Sequence, residues 1–333
     1  MIEVRNLVKR YGRRCAVDHL SFTVEDGKIF GFLGPNGAGK STTMNIMTGY
    51  LAPTEGEVLV DGHNILEEPE EAKRRIGYLP EQPPLYPDMT VREYLLFAAE
   101  LKRIPKKDQK DQLAKAIALT HLEDAERRLI RNLSKGYRQR VGLAQAILGF
   151  PKVIILDEPT VGLDPRQVVE IRDVIRSLAE NHTVILSSHI LSEIRAVCDQ
   201  VLIIRKGQLV ACDTPEHLEE ILSADGSTEL LVKAAPEAVN AVLDTVPGIT
   251  ERTVESLNNG TVRVSLRTAT DSREVLFLSF AAAGLPLLEL RAKTASLEEV
   301  FLDLTADDDI LAAKAANLLS GKSAASTTGG ENA

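Results

Sequence analysis

The chain has 333 residues, 44% of them apolar, and a formal net charge of −9. That length fits two domains with real hydrophobic cores, and the acidic balance excludes wholesale coating of DNA or RNA, so no nucleic-acid partner is expected. Cys15, Cys198 and Cys212 are scattered with no CxxC spacing, which excludes a disulfide framework or zinc site and fits a reducing compartment.

The opening residues, MIEVRNLVKRYG, lack the apolar core and cleavage site of a signal peptide. No apolar run approaches the roughly 20 residues of a bilayer span. If this chain works at a membrane, another chain must do the spanning. Short apolar runs then alternate with amphipathic patterns, as in an α/β fold. Strands are expected at Ile2–Val4, Leu20–Val24, Lys28–Leu33, Glu57–Val60 and Arg75–Leu79, and again at Val153–Leu156, Thr183–Ser187, Gln200–Arg205 and Gln208–Cys212. The early ones, with turns at Asp26-Gly27 and Asp61-Gly62, read as antiparallel. Ile29–Leu33, Val153–Leu156 and Val184–Leu186 are unbroken apolar runs and read as buried parallel strands.

Tyr94 to Leu122 reads as helix without strand, and the basic run Lys102–Lys110 reads as a solvated face. The stretch LSKGYRQRVGLAQAI, Leu133–Ile147, continues the helical block. Its Arg138 and Arg140 lie near the helix start, where positive charge opposes the dipole and calls for a negative partner.

At residues 223–228 the composition turns small and polar, which reads as a linker. Beyond it, Glu229–Lys233 is an expected strand and Pro236–Val246 a helix. Thr250–Ser256 and Thr261–Arg267 read as a hairpin around Asn258-Asn259-Gly260. Ser272–Ala283 follows as helix and Leu287–Arg291 as strand. This β-α-β-β-α-β order suggests a small ferredoxin-like α+β domain over residues 229–305. Ser296 and Glu299 form a capping box for a helix over Leu297–Leu304. Residues 306–333 are small and polar and read as a flexible tail.

Two motifs carry chemistry. Gly34-Pro35-Asn36-Gly37-Ala38-Gly39-Lys40-Ser41 matches G-x-x-x-x-G-K-[ST], follows an apolar strand and precedes a helical pattern at Thr42–Thr48. Its glycines let backbone N–H groups turn inward onto phosphate oxygens, and the helix start adds its dipole. Lys40 would reach the β- and γ-phosphates, and Ser41 would hold Mg²⁺. The bland alternative is a glycine-rich turn, which the full match in this context outweighs. The second motif is Val153–Pro159, an apolar strand ending in Asp157 and Glu158 at the crevice end of a parallel sheet. Asp157 suits the Mg²⁺ shell and Glu158 suits polarising the attacking water. No [NT]-K-x-D guanine-reading motif is present, which favours ATP over GTP.

As a set, these motifs resemble the ATP-binding subunits of ABC (ATP-binding cassette) transporters, over about residues 1–222. Tyr11 matches the aromatic that stacks on adenine, and Leu133-Ser134-Lys135-Gly136-Tyr137 the signature loop. Gly162-Leu163-Asp164-Pro165 matches the loop after the acidic strand, and His189 the switch histidine that contacts the γ-phosphate. Tyr78-Leu79-Pro80-Glu81-Gln82 matches the loop that carries a glutamine. Here the glutamine position falls on Glu81, with Gln82 next, and either would be the Mg²⁺ or water contact. The signature departs from LSGGQ at Lys135 and Tyr137. The resemblance implies a P-loop NTPase cassette: a RecA-like core with an antiparallel β subdomain and a helical subdomain. It implies ATP bound by Tyr11, Gly34, Asn36 and Gly37–Thr43 (that is, Gly37, Ala38, Gly39, Lys40, Ser41, Thr42 and Thr43). Glu158, His189 and Lys40 would be catalytic, and Ser41, Asp157 and Glu81 or Gln82 would face Mg²⁺. Ser134 and Gly136 would cap the nucleotide of a second copy in a head-to-tail dimer.

Ser296–Thr305, SLEEVFLDLT, together with the signature variant, resembles the ABC-2-type export subfamily and its gliding-motility-type ATPase branch. That implies a bacterial ATPase, cytoplasmic and peripheral on the inner face of the membrane, driving a separate integral membrane permease. The rival class is a soluble ABC ATPase of DNA repair or translation. Against it stand the absence of a long coiled coil between Ser41 and Leu133 and the single cassette.

Overall fold

In the computed structural model, which describes residues 1–223, 227–257, 260–268, 272–292 and 301, β1 (Ile2–Tyr11) and β2 (Arg14–Val24) form a long hairpin. The pairing runs from Ile2↔Val24 to Tyr11↔Arg14 and continues past the expected end of β1 at Val4. Register shifts between Val4 and Leu7, Leu7 and Lys9, and Lys9 and Arg10 explain why the sequence hides this extension. Each bulge breaks the alternation of buried and exposed side chains that marks a strand, and Asn6 takes a positive φ of 48° within it. The Asp26-Gly27 turn leads into β3 (Ile29–Leu33), which belongs to a different sheet, so that turn changes sheets and closes no hairpin. After α1 (Lys40–Met47), β4 (Glu55–Val60) returns to pair with β1, and the Asp61-Gly62 turn joins it antiparallel to β5 (His63–Asn64).

The remaining elements of this unit are α2 (Pro69–Arg74), β6 (Ile76–Leu79), α3 (Val91–Leu101), α4 (Lys106–Leu119), α5 (Lys135–Ile147), β7 (Val153–Asp157), α6 (Pro165–Ala179), β8 (Thr183–Ser187), α7 (Leu191–Val197), β9 (Gln200–Arg205) and β10 (Gln208–Asp213). The second sheet has the order β10-β9-β3-β8-β7-β6. Its pairs are parallel apart from the edge strand β10. Central β3, β7 and β8 are buried at every position, as strands covered on both faces must be. Phe22 of the first sheet stacks on Phe30 at 6.1 Å and meets Phe32 at 5.7 Å, so one core joins both sheets with α1. Each such large side chain contributes about 1.5–3 kcal/mol by burial.

The helical block opens with a capping box, in which Thr90 and Glu93 each bond the other's backbone N–H at the head of α3. Lys102 departs from the solvated face expected of Lys102–Lys110. Its ammonium donates to the carbonyls of Gln145 at 2.8 Å, Ala146 at 2.9 Å and Leu148 at 2.7 Å. These are among the carbonyls left open at the C-terminus of α5, and a cation there also meets the favourable end of the dipole.

The chain divides into two units, one built on Met1–Pro215 and the other on Glu216–Asp303. α8 (Pro215–Ser223) lies at the division. Of the expected linker 223–228, Ser223 belongs to α8 and Ser227 and Thr228 to β11 (Ser227–Val232), while residues 224–226 lie outside the described ones. The second unit continues with α9 (Pro236–Leu243), β12 (Ile249–Ser256), β13 (Val262–Thr268), α10 (Arg273–Ala282) and β14 (Leu287–Ala292). Its four strands, in the order β12-β13-β11-β14, pair antiparallel throughout. Leu230, Val232, Val264, Val239, Leu276 and Phe280 form a separate core. Asn258 and Asn259 of the expected turn, the capping box at Ser296, the helix it would open apart from Phe301, and the tail 306–333 lie outside the described residues. Among the described residues, no helix is long and apolar enough to cross a membrane.

Candidate functional site

The phosphate loop runs from the end of β3 into α1. Gly37 has φ 81° and Gly39 φ 109°, conformations that L side chains rarely adopt. Space is as restrictive as conformation. A Cβ on Gly34 would lie 2.5 Å from the Ile204 carbonyl oxygen, and one on Gly39 2.5 Å from that of Ala16. The first turn of α1 is pinned by Thr43, whose N–H and hydroxyl both donate to the Gly39 carbonyl, at 2.9 and 3.0 Å. Lys40 is buried, and its ammonium donates to the Gly34 carbonyl at 2.6 Å. Burial pushes this ammonium below its ordinary pKa, while Glu158 and Asp157 pull it back up. Ser41 and Asn36 are exposed and Ala38 is buried. Thr42 is partly exposed on α1.

Asp157 ends β7 beside β8, and Glu158 follows it. Buried Asp157 accepts the Ser187 hydroxyl at 2.6 Å, and the Glu158 N–H donates to that same Ser187 oxygen at 2.9 Å. Glu158 itself sits at φ 49°, a left-handed conformation uncommon outside glycine. Its carboxylate lies 2.8 Å from His189 Nδ1. Behind the pair, buried Glu193 of α7 accepts the hydroxyls of Thr160 and Ser188, tying the loop after β7 to the loop after β8. Ser187 and Glu193 were missed by sequence reasoning. The paired serines before His189 were the available signal for Ser187, and nothing in the sequence marked Glu193.

Ser134 caps α5 by accepting the Tyr137 N–H at 3.3 Å. Gly136 packs against α6, where a Cβ would fall 2.5 Å from Gln167 Oε1. Lys135 reaches across to the loop between β7 and α6, so close to Gly162 that a Cβ there would lie 2.2 Å from its ammonium. The basic start of α5 also finds partners within the chain: Arg140 pairs with Glu170 and lies over the Tyr137 ring, and Arg138 donates to the Leu133 carbonyl. The expected surplus of unpaired charge is smaller than the sequence suggests, because Glu170 comes from α6. Asp164 caps α6, accepting from the N–H groups of Arg166 and Gln167.

Among the described residues, no hydrogen bond or ion pair joins the signature loop to the phosphate loop. Glu81 and Gln82 are exposed after β6 and line a cleft with Lys135, Arg138 and Gln139. Tyr11, 50% exposed, carries Lys9 over one face of its ring at 5.3 Å. The three cysteines are free thiols.

The arrangement is a glycine-rich anion cradle with a buried cation, two carboxylates at the same sheet edge and a histidine beside the second. This is chemistry for a nucleoside triphosphate. Comparison with known proteins agrees. The ABC transporter family model matches residues 17–161. The bacitracin transport ATP-binding protein BcrA of Bacillus licheniformis is 42% identical over 222 residues, covering 66% of this chain and 72% of that one. The linearmycin resistance ATP-binding protein LnrL of Bacillus subtilis is 32% identical over 308 residues, covering 92% of this chain and 98% of that one. Among solved structures, a dimeric ATP-binding cassette in a post-hydrolysis state, bound to ADP and Pi, matches with TM-score 0.58 at 25% identity, over 64% of this chain and 98% of that one. The chain belongs to the ABC transporter family as an ATP-binding subunit, and it is an ATPase.

Proposed function

We propose that the chain is the motor of a bacterial ABC-2-type exporter, working as a head-to-tail dimer on a separate membrane permease. The observation that carries the hydrolytic half of this reading is the Glu158–His189 pair at the edge that also holds Asp157 and faces Lys40. Tyr11 stacks on adenine, and Gly34, Asn36 and Gly37–Thr43 wrap the phosphates. Glu158 orients the water for in-line attack, and His189 holds Glu158 and the γ-phosphate in register. Burial of Lys40 makes its charge strong where phosphate charge develops.

Mg²⁺ prefers hard oxygen donors, and the Ser41 hydroxyl with the buried Asp157 carboxylate is such a set. Ser187 donates to Oδ1 of Asp157 and so orients the carboxylate. When bound, the ion would neutralise phosphate charge, and Glu81 or Gln82 would offer it a further side-chain oxygen. The isolation of Ser134 and Gly136 from the phosphate loop of their own chain supports a two-fold dimer in which each signature loop caps the partner's nucleotide. Lys135 lies against Gly162, which ties the cap to the loop before α6.

The export reading is supported by BcrA and LnrL, whose names attach them to bacitracin transport and linearmycin resistance. The permease would dock near Pro83–Tyr94, where Tyr86 is 52% exposed and makes an edge contact with Phe97 at 5.6 Å. The β-α-β-β-α-β order and antiparallel sheet of the second unit support a ferredoxin-like accessory domain over residues 229–305, after a cassette over 1–222. The gliding-motility-type branch rests on the LSKGY variant and the SLEEVFLDLT segment. Placement on the inner face of the cell membrane follows from that partnership. The test is cross-linking in bacterial membranes followed by detergent extraction. An integral membrane protein should cross-link at Tyr86 and raise ATP turnover when reconstituted with the chain. Turnover unaffected by any such protein, with the chain confined to the soluble fraction, would sink the export reading.

A further inference from the structure

Arg14 opens β2 directly opposite Tyr11, so both side chains leave the same face of the hairpin. Its guanidinium lies against the phosphate loop: a Cβ on Gly37 would be 3.5 Å from Arg14 Nη2. Among the described residues the Arg14 guanidinium has no hydrogen-bond or ion-pair partner, unlike those of Arg5 and Arg75, which hold carboxylates. A guanidinium offers a planar fork of donors suited to phosphate, and here that fork stands unused beside a phosphate cradle.

Its position is fixed by the backbone. The Asp18 N–H donates to the Gly207 carbonyl at 2.9 Å, and the Gly207 N–H donates to the Ala38 carbonyl at 2.9 Å. The turn between β9 and β10 therefore bolts the hairpin to the phosphate loop. Lys206 and Gly207 both take positive φ, 49° and 83°, to make that turn. On the other side, the Ala16 carbonyl packs close to Gly39, within the space a Cβ would need. With Lys9 covering one face of Tyr11, the opposite face is left for a base.

We propose that Arg14 is a nucleotide-binding residue, donating from its guanidinium to the α- or β-phosphate oxygens of the ATP whose base stacks on Tyr11. The hairpin then grips the nucleotide at two points, base and phosphate, and its fixed reach favours nucleoside di- and triphosphates over nucleosides. This rests on the assignment of the phosphate loop as the ATP site.

The test measures ADP, ATP and adenosine binding by calorimetry and competition with the full chain and its Arg14→Gln and Arg14→Lys variants. Arg14 is exposed, so a matching thermal melt is expected. Arg14→Gln should weaken ADP and ATP by about tenfold to hundredfold, the worth of a charge-assisted hydrogen bond, and leave adenosine within about twofold. Arg14→Lys should recover part of the loss, because charge remains while the fork is gone. ADP affinity in Arg14→Gln equal to that of the parent, or an equal loss for adenosine, overturns the proposal. Failure of the parent chain to bind ADP or ATP would instead overturn the assignment of the site.

Discussion

Glu158 Oε2 and His189 Nδ1 lie 2.8 Å apart, although the two residues come from different strand ends. The contact holds Glu158, 14% exposed in its side chain, beside His189, 53% exposed. The carboxylate is thus oriented from the open side by an exposed imidazole. Glu158→Gln keeps the shape and removes the basic oxygen. ATP affinity should stay within a few-fold, turnover should fall about 10²–10⁴-fold, and gel filtration with ATP should show a trapped dimer. Retention of most of the turnover would remove Glu158 from the role of base.

Ser187 makes the other support of this edge, bonding Asp157 and the Glu158 N–H through one hydroxyl. Ser187→Ala strands a buried carboxylate oxygen and a backbone donor, a loss of about 1–3 kcal/mol. Turnover should fall about tenfold as Glu158 relaxes from its left-handed conformation, with ADP binding nearly unchanged. Equal losses in turnover and ADP affinity would show instead a general collapse of the loop.

Gly39 and Gly12 separate steric from conformational constraint. Both have positive φ, but a Cβ on Gly39 meets the Ala16 carbonyl at 2.5 Å, whereas one on Gly12 meets nothing within 4 Å. Gly12→Ala should cost only the left-handed penalty, about 1–2 kcal/mol, with nucleotide binding intact. Gly39→Ala should displace the hairpin from the phosphate loop and weaken ADP binding at least tenfold. Calorimetric titration and thermal melts on the two variants check the contrast.

The sequence carried more of the loops than of the contacts between them. Gly34–Ser41 and Val153–Glu158 were legible because strand, turn and helix signals are local, and the buried parallel strands read as unbroken apolar runs. The far half of β1 was not, because three register shifts erase its alternation. Ser187 was missed because its partner Asp157 is 30 residues away in sequence, and the serine pair before His189 does not name that partner. The pairing of Arg140 with Glu170 has the same cause, and so does Lys102, whose acceptors begin at Gln145, 43 residues on. A basic run looks solvated until the fold shows which cation meets a helix end.

Lys102 gives a pH signature. Burial pushes its ammonium from 10.5 down to about 8. Between those values the unfolded chain holds a proton that the folded chain has released, so stability from this group rises with pH across the window. Below about pH 8 both states are charged and the full burial cost is present; above about pH 10.5 it is gone. The gain is up to about 3 kcal/mol from the size of the shift. Lys102→Met removes the titration. It also leaves the carbonyls of Gln145, Ala146 and Leu148 without their donor, so the variant should be less stable than the parent at every pH. The gap should widen from pH 8 to 10.5, because only the parent gains there. Urea unfolding of both chains at these two pH values measures it. A constant gap would mean that the Lys102 ammonium keeps its proton throughout, held by its three carbonyls.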